Sequence, residues 1–429
     1  MYKEIMNTNH DKGRLHKHLI VYIIAHGAKS ALWHAMSLIL PVILITRSGL
    51  SPMQMGTVSM IGIFLSALLT LIAAFTMRQR GADLLSLSHS SLLGSIAAGI
   101  LFFVLTLMPA GSSADHLLLV LAIIVGLRAA YAFYDMGQNA MIAFVRLPSM
   151  EHMTVPALRA VAGMGAQIIM VASWSAAVSF TRSGRNASLP YILWSFVIPL
   201  LCVSSAIFLN HASSQITRRN PNLRQMCSTK HEVNSSDVIT NRKPLLITLV
   251  SAFLYTWLVA GIGRFFPFQQ NDSLPFGISS LTAFSTGGFL IQVLSLSPRK
   301  LNFDRYYCKL IWLSASIGLI GLLLRPDGRA GLDILIIMTT GAGVWGLNTL
   351  LWRDVSRYIG SMRGNTFAVT PAKAFALLAS SGETGTAFGE WTLGYILKMY
   401  GQGSFSMEVI VAVSMIGLTL IVILNHTKN

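Results

Sequence analysis

The chain is 429 residues long, with 53% hydrophobic and 11% charged side chains, a mean hydropathy of +0.61 and a formal net charge of +16. Soluble domains carry roughly 25% charged residues, so this composition excludes an ordinary soluble enzyme and predicts a polytopic membrane protein. The three cysteines, Cys202, Cys227 and Cys308, stand in no Cys/His spacing that builds a metal centre, and neither a disulfide scaffold nor a metal or cofactor is expected.

Apolar runs of about 18 or more residues mark spanning helices. Twelve are predicted, at 19–46, 54–76, 84–108, 116–145, 156–180, 189–210, 244–265, 274–296, 307–324, 331–352, 370–396 and 407–425. The runs are long and continuous rather than short and alternating, which argues against a β-barrel. The first run exceeds an h-region and contains His26 and Lys29, so it reads as a helix and not as a cleaved signal.

Domain organisation follows from the polar gaps. A tail at 1–18 precedes a six-helix bundle at 19–210. A polar, basic linker at 211–243 leads to a second bundle at 244–425, and a short tail at 426–429 closes the sequence. In a soluble protein the basic excess would suggest nucleic acid. Here most Lys and Arg, Arg353 among them, fall in segments assigned to one side, and fewer, including Arg264, fall on the other. The positive-inside rule then places both termini in the cytoplasm, with no nucleic-acid partner. The expected setting is the lipid bilayer of a bacterial inner membrane, and the chain is expected to act as a monomer.

Ionisable residues inside apolar runs carry the functional signal. A carboxylate at the centre of a spanning helix costs roughly 2.5–3.5 kcal/mol on insertion scales, so it persists where it faces a cavity or a cation. Asp135 lies in such a stretch, from Asp115 to Val145. In the same run Arg128, Tyr131, Asp135 and Asn139 fall on one helical face, predicting a polar stripe that includes a cavity-lining Arg128. In the first run His26, Ser30, Trp33 and Ser37 share a face beside Lys29, which either snorkels to the headgroups or lines a cavity together with Ser30. Arg159 follows Pro156 closely and is either an interfacial anchor or a cavity cation. Glu383 and Glu390, seven residues apart, share a face of the eleventh run, and Glu383 lies deep enough to be a proton site. Coupling candidates are therefore His26, Asp135 and Glu383.

Two six-helix halves related by an axis along the membrane normal are the architecture expected of the major facilitator superfamily, with the substrate near the midplane. Within it the chain resembles the glycoside–pentoside–hexuronide cation symporters, the melibiose-carrier branch. The resemblance rests on Gly27-Ala-Lys29-Ser30, on Tyr134-Asp135-Met-Gly-Gln-Asn139, on Pro156-Ala-Leu-Arg159, and on Trp345, Asn348, Asp354 and Tyr358. It implies a sugar held by Asp135, Lys29 and Arg159, with Asn139 and Asn348 beside it and Trp345 covering its apolar face. A carboxylate accepting from vicinal hydroxyls and cations donating to ring oxygens fit that chemistry.

The departures from the pattern bear on coupling. The second acid of the first helix is Ser30, and the helix-2 carboxylates that usually hold Na⁺ are Ser66 and Thr70. Hydroxyls make a poor sodium cage, so the expected activity is secondary transport of a small polar, sugar-like solute, proton-coupled or uncoupled. The alternative is a proton-driven exporter of drugs or metabolites, weakened because Arg159 to Ser173 lacks a proline. No Gly-x-Ser-x-Gly, Walker loop or His-Glu-x-x-His occurs, and no enzyme activity is expected.

Overall fold

A computed structural model describes residues 9–46, 48–80, 84–108, 114–145, 154–182, 189–219, 243–268, 280–296, 303–324, 330–361, 371–401 and 404–426. The helices are α1 (Asn9–His34), α2 (Leu40–Thr46), α3 (Pro52–Arg80), α4 (Leu84–Leu107), α5 (Ala114–Val145), α6 (Thr154–Arg182) and α7 (Leu189–Arg219). They continue with α8 (Lys243–Leu254), α9 (Gly261–Phe265), α10 (Ser280–Ser295), α11 (Phe303–Leu323), α12 (Ala330–Ser361), α13 (Pro371–Tyr400) and α14 (Ser404–His426).

Among the described residues, ten helical segments are long and apolar enough to cross a membrane; they include His16–Thr46, His116–Ile142 and Lys243–Phe268. The chain is a multi-pass membrane protein. Helix α10 is apolar but shorter, and α13 is not among the ten, carrying Glu383, Glu390 and many hydroxyls. Large apolar side chains such as Leu93, Leu118, Ile169, Phe208 and Leu313 point outward. In water such a surface would aggregate; in lipid it is the solvated face.

Packing within residues 9–219 runs through α4 against α5 and α7, α3 against α5, and α1 against α6 and α7. Within 243–426, α12 packs on α10 and α11, while α13 packs on α8. The main seams between the groups are α3 with α13, and α6 with α10. On the first, Ser380 Oγ donates to the Ala67 carbonyl at 2.9 Å; on the second, Gln167 Nε2 donates to Ser285 Oγ at 2.9 Å. At Gly56 a Cβ would meet the Glu390 carbonyl oxygen at 2.8 Å and Gly394 Cα at 3.1 Å, so two glycines permit the close approach of α3 and α13.

Several bounds differ from those expected. Helix α1 begins at Asn9 rather than after a tail to residue 18, and α7 runs to Arg219, into the region expected to be a linker. The two extensions hold each other: the buried His18 ring meets Ser213 Oγ at 3.1 Å, and Thr217 is buried beside them. Helix α12 likewise continues to Ser361, past Arg353. Residues 1–8, 220–242 and 427–429 of the expected tails and linker lie outside the described residues.

Among the described residues, two five-residue π-helical segments interrupt long helices: Ala35–Ile39 between α1 and α2, and Tyr255–Val259 after α8. A π turn leaves helical carbonyls short of their usual donors and recurs at functional sites. In both segments a buried arginine supplies a donor to the carbonyl of the second residue. Arg128 Nη2 reaches Met36 O at 3.3 Å, and Arg264 Nη2 reaches Thr256 O at 2.9 Å.

Candidate functional site

A cavity of about 300 Å³ lies between the two groups of helices. One wall is built by α1 (His26, Lys29, Ser30, Trp33, His34), α5 (Tyr131, Asp135, Asn139) and α6 (Arg159, Gly163). The facing wall comes from the second π segment (Tyr255, Thr256), α9 (Arg264), α10 (Phe284, Gln292), α12 (Trp345, Asn348, Thr349, Trp352, Arg353) and α13 (Gly382, Glu383, Thr386). The lining extends to Ile142, Ala157, Ser295 and Tyr307, the end of the molecule where α5 stops and α6 starts. Beyond the opposite end, α3 and α13 are in contact at Gly56 and Gly394.

The first wall carries a continuous ionic network. Lys29 Nζ donates to Asp135 Oδ1 and lies 3.5 Å from Asn139 Oδ1. Asn139 Nδ2 donates to the other Asp135 oxygen at 2.5 Å, and Asn139 Oδ1 accepts from Arg159 Nη2. Arg159 Nε donates to His26 Nδ1 at 3.3 Å. That bond assigns the His26 proton to Nε2, which faces Ser30 Oγ at 3.4 Å, while Ser30 donates to the His26 carbonyl at 2.8 Å. Spacing explains the assembly: positions 135 and 139 are one turn apart on α5, and 26 and 30 one turn apart on α1. The Lys29 side chain is 3% exposed and that of Asp135 13%, so the carboxylate keeps an edge toward the cavity.

The facing wall presents aromatic and amide groups. Trp345 meets His34 edge-to-face across the cavity, with centroids 5.6 Å apart at 84°, and its buried Nε1 has no hydrogen-bond partner. Gln292 Nε2 donates to the Trp345 carbonyl at 2.9 Å, and Thr349 Oγ1 donates to Gln292 Oε1 at 2.6 Å. Trp352 lies 5.6 Å from the Arg159 guanidinium carbon, a cation–π contact joining the walls. Glu383 is buried in the wall with Oε2 unpartnered. Deeper, Arg264 Nε stands 3.6 Å from Glu390 Oε1, with Nη2 donating to Thr386 Oγ1 at 3.1 Å.

Lys29, Asp135, Asn139, Arg159, Trp345 and Asn348 thus share one cavity, together with His26, Ser30 and Glu383. Arg128 does not line it, contrary to the stripe expected on α5. Its guanidinium lies 5.2 Å over the Trp33 ring and is turned toward the π segment, leaving the stripe to 131, 135, 139 and 142. From the sequence, Arg264, at the end of the run 244–265, is counted with one side of the membrane and Arg353, just after the run 331–352, with the other; both are buried and line the cavity. The signal for Arg264 is the apolar Phe265-Phe266-Pro267-Phe268 that follows it and carries the span onward. Gln292, Thr349 and Trp352 escape sequence reasoning because single polar or aromatic residues in a helical run do not announce which face they occupy.

The helices pack as two groups with the cavity between them. No family model matches the chain, and no curated protein matches it by sequence. Solved structures share the fold. A bacterial homologue of the iron transporter ferroportin in an outward-facing state is 10% identical, with 97% of this chain and 99% of that one covered and a TM-score of 0.65. A mutant of the nucleoside transporter NupG is 13% identical over 95% and 99% of the two chains, with a TM-score of 0.60. The xylose transporter XylE from E. coli, in a partially occluded inward-open conformation, is 13% identical over 94% and 98%, also with a TM-score of 0.60.

Proposed function

We propose that the chain is a secondary transporter that carries a small polar solute across a bacterial inner membrane by alternating access, with twelve spanning helices in two bundles and both termini cytoplasmic. The observation that carries this reading is the Lys29–Asp135–Asn139–Arg159 network on the wall of a cavity between two helix groups. Charges at that depth are retained for a polar ligand or an ion rather than for packing. The volume of about 300 Å³ lies at the small end of ligand pockets and suits a single small solute.

Lys29, Asp135, Asn139 and Arg159 bind the solute's polar groups, while Trp345 and Asn348 face it from the second bundle. In the resemblance to the glycoside–pentoside–hexuronide symporters the same residues hold a sugar. Coupling, where present, runs through protons taken by Glu383, Asp135 or His26, because Ser66 and Thr70 replace the acids of a sodium site. The cavity lining at Ala157 and Ile142, with contact between α3 and α13 at the far end, supports a conformation open to the cytoplasm.

The test is uptake into proteoliposomes with a panel of sugars, uronates and organic acids, varying Na⁺ and pH gradients separately. Saturable uptake above empty vesicles, unaffected by Na⁺, is expected. Uptake of no solute refutes transport, and uptake driven by sodium alone refutes the assignment of coupling.

A further inference from the structure

Charge is unevenly placed along the cavity. At the deep end Arg264 has Glu390 as its partner. Among the described residues lining the cavity there are four cations, Lys29, Arg159, Arg264 and Arg353, against two carboxylates, Asp135 and Glu383. Asp135 is engaged by Lys29 and Asn139.

Arg159 is 7% exposed, and among the described residues its hydrogen bonds and ring contact go to neutral groups: the Asn139 amide oxygen, a His26 ring nitrogen and the face of Trp352. Arg353, also 7% exposed, gives Nη2 to the Cys308 sulfur at 3.0 Å, a weak acceptor, and leaves Nε and Nη1 without hydrogen-bond partners. Asp354 forms an ion pair with it, Oδ1 standing 3.9 Å from Nε without a hydrogen bond between them, and the Asp354 side chain is 28% exposed.

Buried guanidinium donors left unspent, as Nε and Nη1 of Arg353 are, are costly unless an anion meets them. The two arginines belong to opposite walls, Arg159 on α6 and Arg353 on α12, and Trp352, next to Arg353 in sequence, already touches Arg159. A planar carboxylate matches the guanidinium fork with two parallel bonds, which a neutral hydroxyl does not.

We propose that the solute is a small organic acid bound as its carboxylate between Arg159 and Arg353, one arginine from each wall of the cavity. This rests on the reading of the cavity as the transport site and narrows its ligand to an anion. The solute's remaining polar groups face Asn348, Gln292 and the Asp135 edge. Because the anion bridges the walls at the open end, its binding draws them together, so occupancy and closure are linked.

Tryptophan fluorescence of the purified full-length protein reads binding directly, since Trp352 and Trp345 line the cavity. The probes are matched pairs of neutral and oxidised solutes: glycerol with glycerate, glucose with gluconate, galactose with galacturonate. At least one carboxylate is expected to bind about 10- to 100-fold tighter than its neutral partner, the range set by hydrogen bonds to a charged group. Arg159→Gln and Arg353→Gln are each expected to remove that preference while the protein still elutes as a single species. Arg159 also supports the Asn139 network, so Arg353→Gln, outside that network, gives the independent reading. Neutral members binding as well as the acids, no carboxylate binding, or an unchanged preference in Arg353→Gln overturns the proposal. Selective carboxylate binding without uptake into proteoliposomes upholds the anion site and removes transport; uptake of neutral solutes alone does the reverse.

Discussion

Replacing Glu390 with glutamine strands the Arg264 guanidinium in a fully packed setting. The two side chains are 1% and 6% exposed, and Gly389 lies directly against the guanidinium, leaving no room for water to replace the lost carboxylate. At 3.6 Å and an effective dielectric of about 20, the Coulomb attraction amounts to about 5 kcal/mol. Removing one member of a buried pair costs about 3–5 kcal/mol. Arg264 keeps its bonds to the Thr256 carbonyl and Thr386 Oγ1, which puts Glu390→Gln near about 3 kcal/mol. Removing both charges, as in Arg264→Met with Glu390→Leu, eliminates the stranded cation and is expected to recover most of that loss, less the bond to Thr256. Denaturant titration in mixed micelles, followed by tryptophan fluorescence, measures all three variants. A Glu390→Gln protein within about 0.5 kcal/mol of wild type, or a double variant as unstable as the two losses added, refutes the assignment of a buried pair.

Asp135→Asn is expected to fold and reach the membrane in normal amounts but to lose solute accumulation; normal accumulation means that Asp135 has no part in binding or coupling. Glu383→Gln is expected to lose pH-driven accumulation while keeping solute exchange across the bilayer, and retention of pH-driven uptake removes Glu383 from coupling. Gly56→Ala places a methyl group 2.8 Å from the backbone oxygen of Glu390 and is expected to destabilise by about 1–3 kcal/mol in the same titration. An unchanged midpoint means that the α3–α13 seam is looser than described.

Hydrophobic runs made most of the helices legible, because apolar length is imposed by the thickness of lipid. Helix ends were less legible: α1 and α7 extend into polar sequence where His18 and Ser213 satisfy one another, a pairing 195 residues apart that no local pattern reveals. The Lys29, Asp135 and Arg159 cluster could be read because each ionisable group interrupts an apolar run and stands out singly. Arg264 and Arg353 sit at the ends of the expected apolar runs 244–265 and 331–352, where a basic residue ordinarily marks the interface, and they are held by Glu390 and Cys308 contributed by other helices. Arg128 failed differently. Helical periodicity placed it on the stripe, but the π segment beside it offered the Met36 carbonyl and the Trp33 face, drawing it off the cavity wall.

Alternating access is tested most directly by one introduced thiol deep in the cavity, in a protein whose Cys202, Cys227 and Cys308 are replaced by serine. Ser37 lines the cavity at the first π segment and has a buried hydroxyl without a hydrogen-bond partner. With Ser37→Cys in oriented vesicles, a membrane-impermeant maleimide is predicted to label from either face, faster from the face that carries the α5–α6 junction. Labelling from neither face, or from one face alone under every gradient and solute condition, contradicts a cavity that opens to both sides in turn.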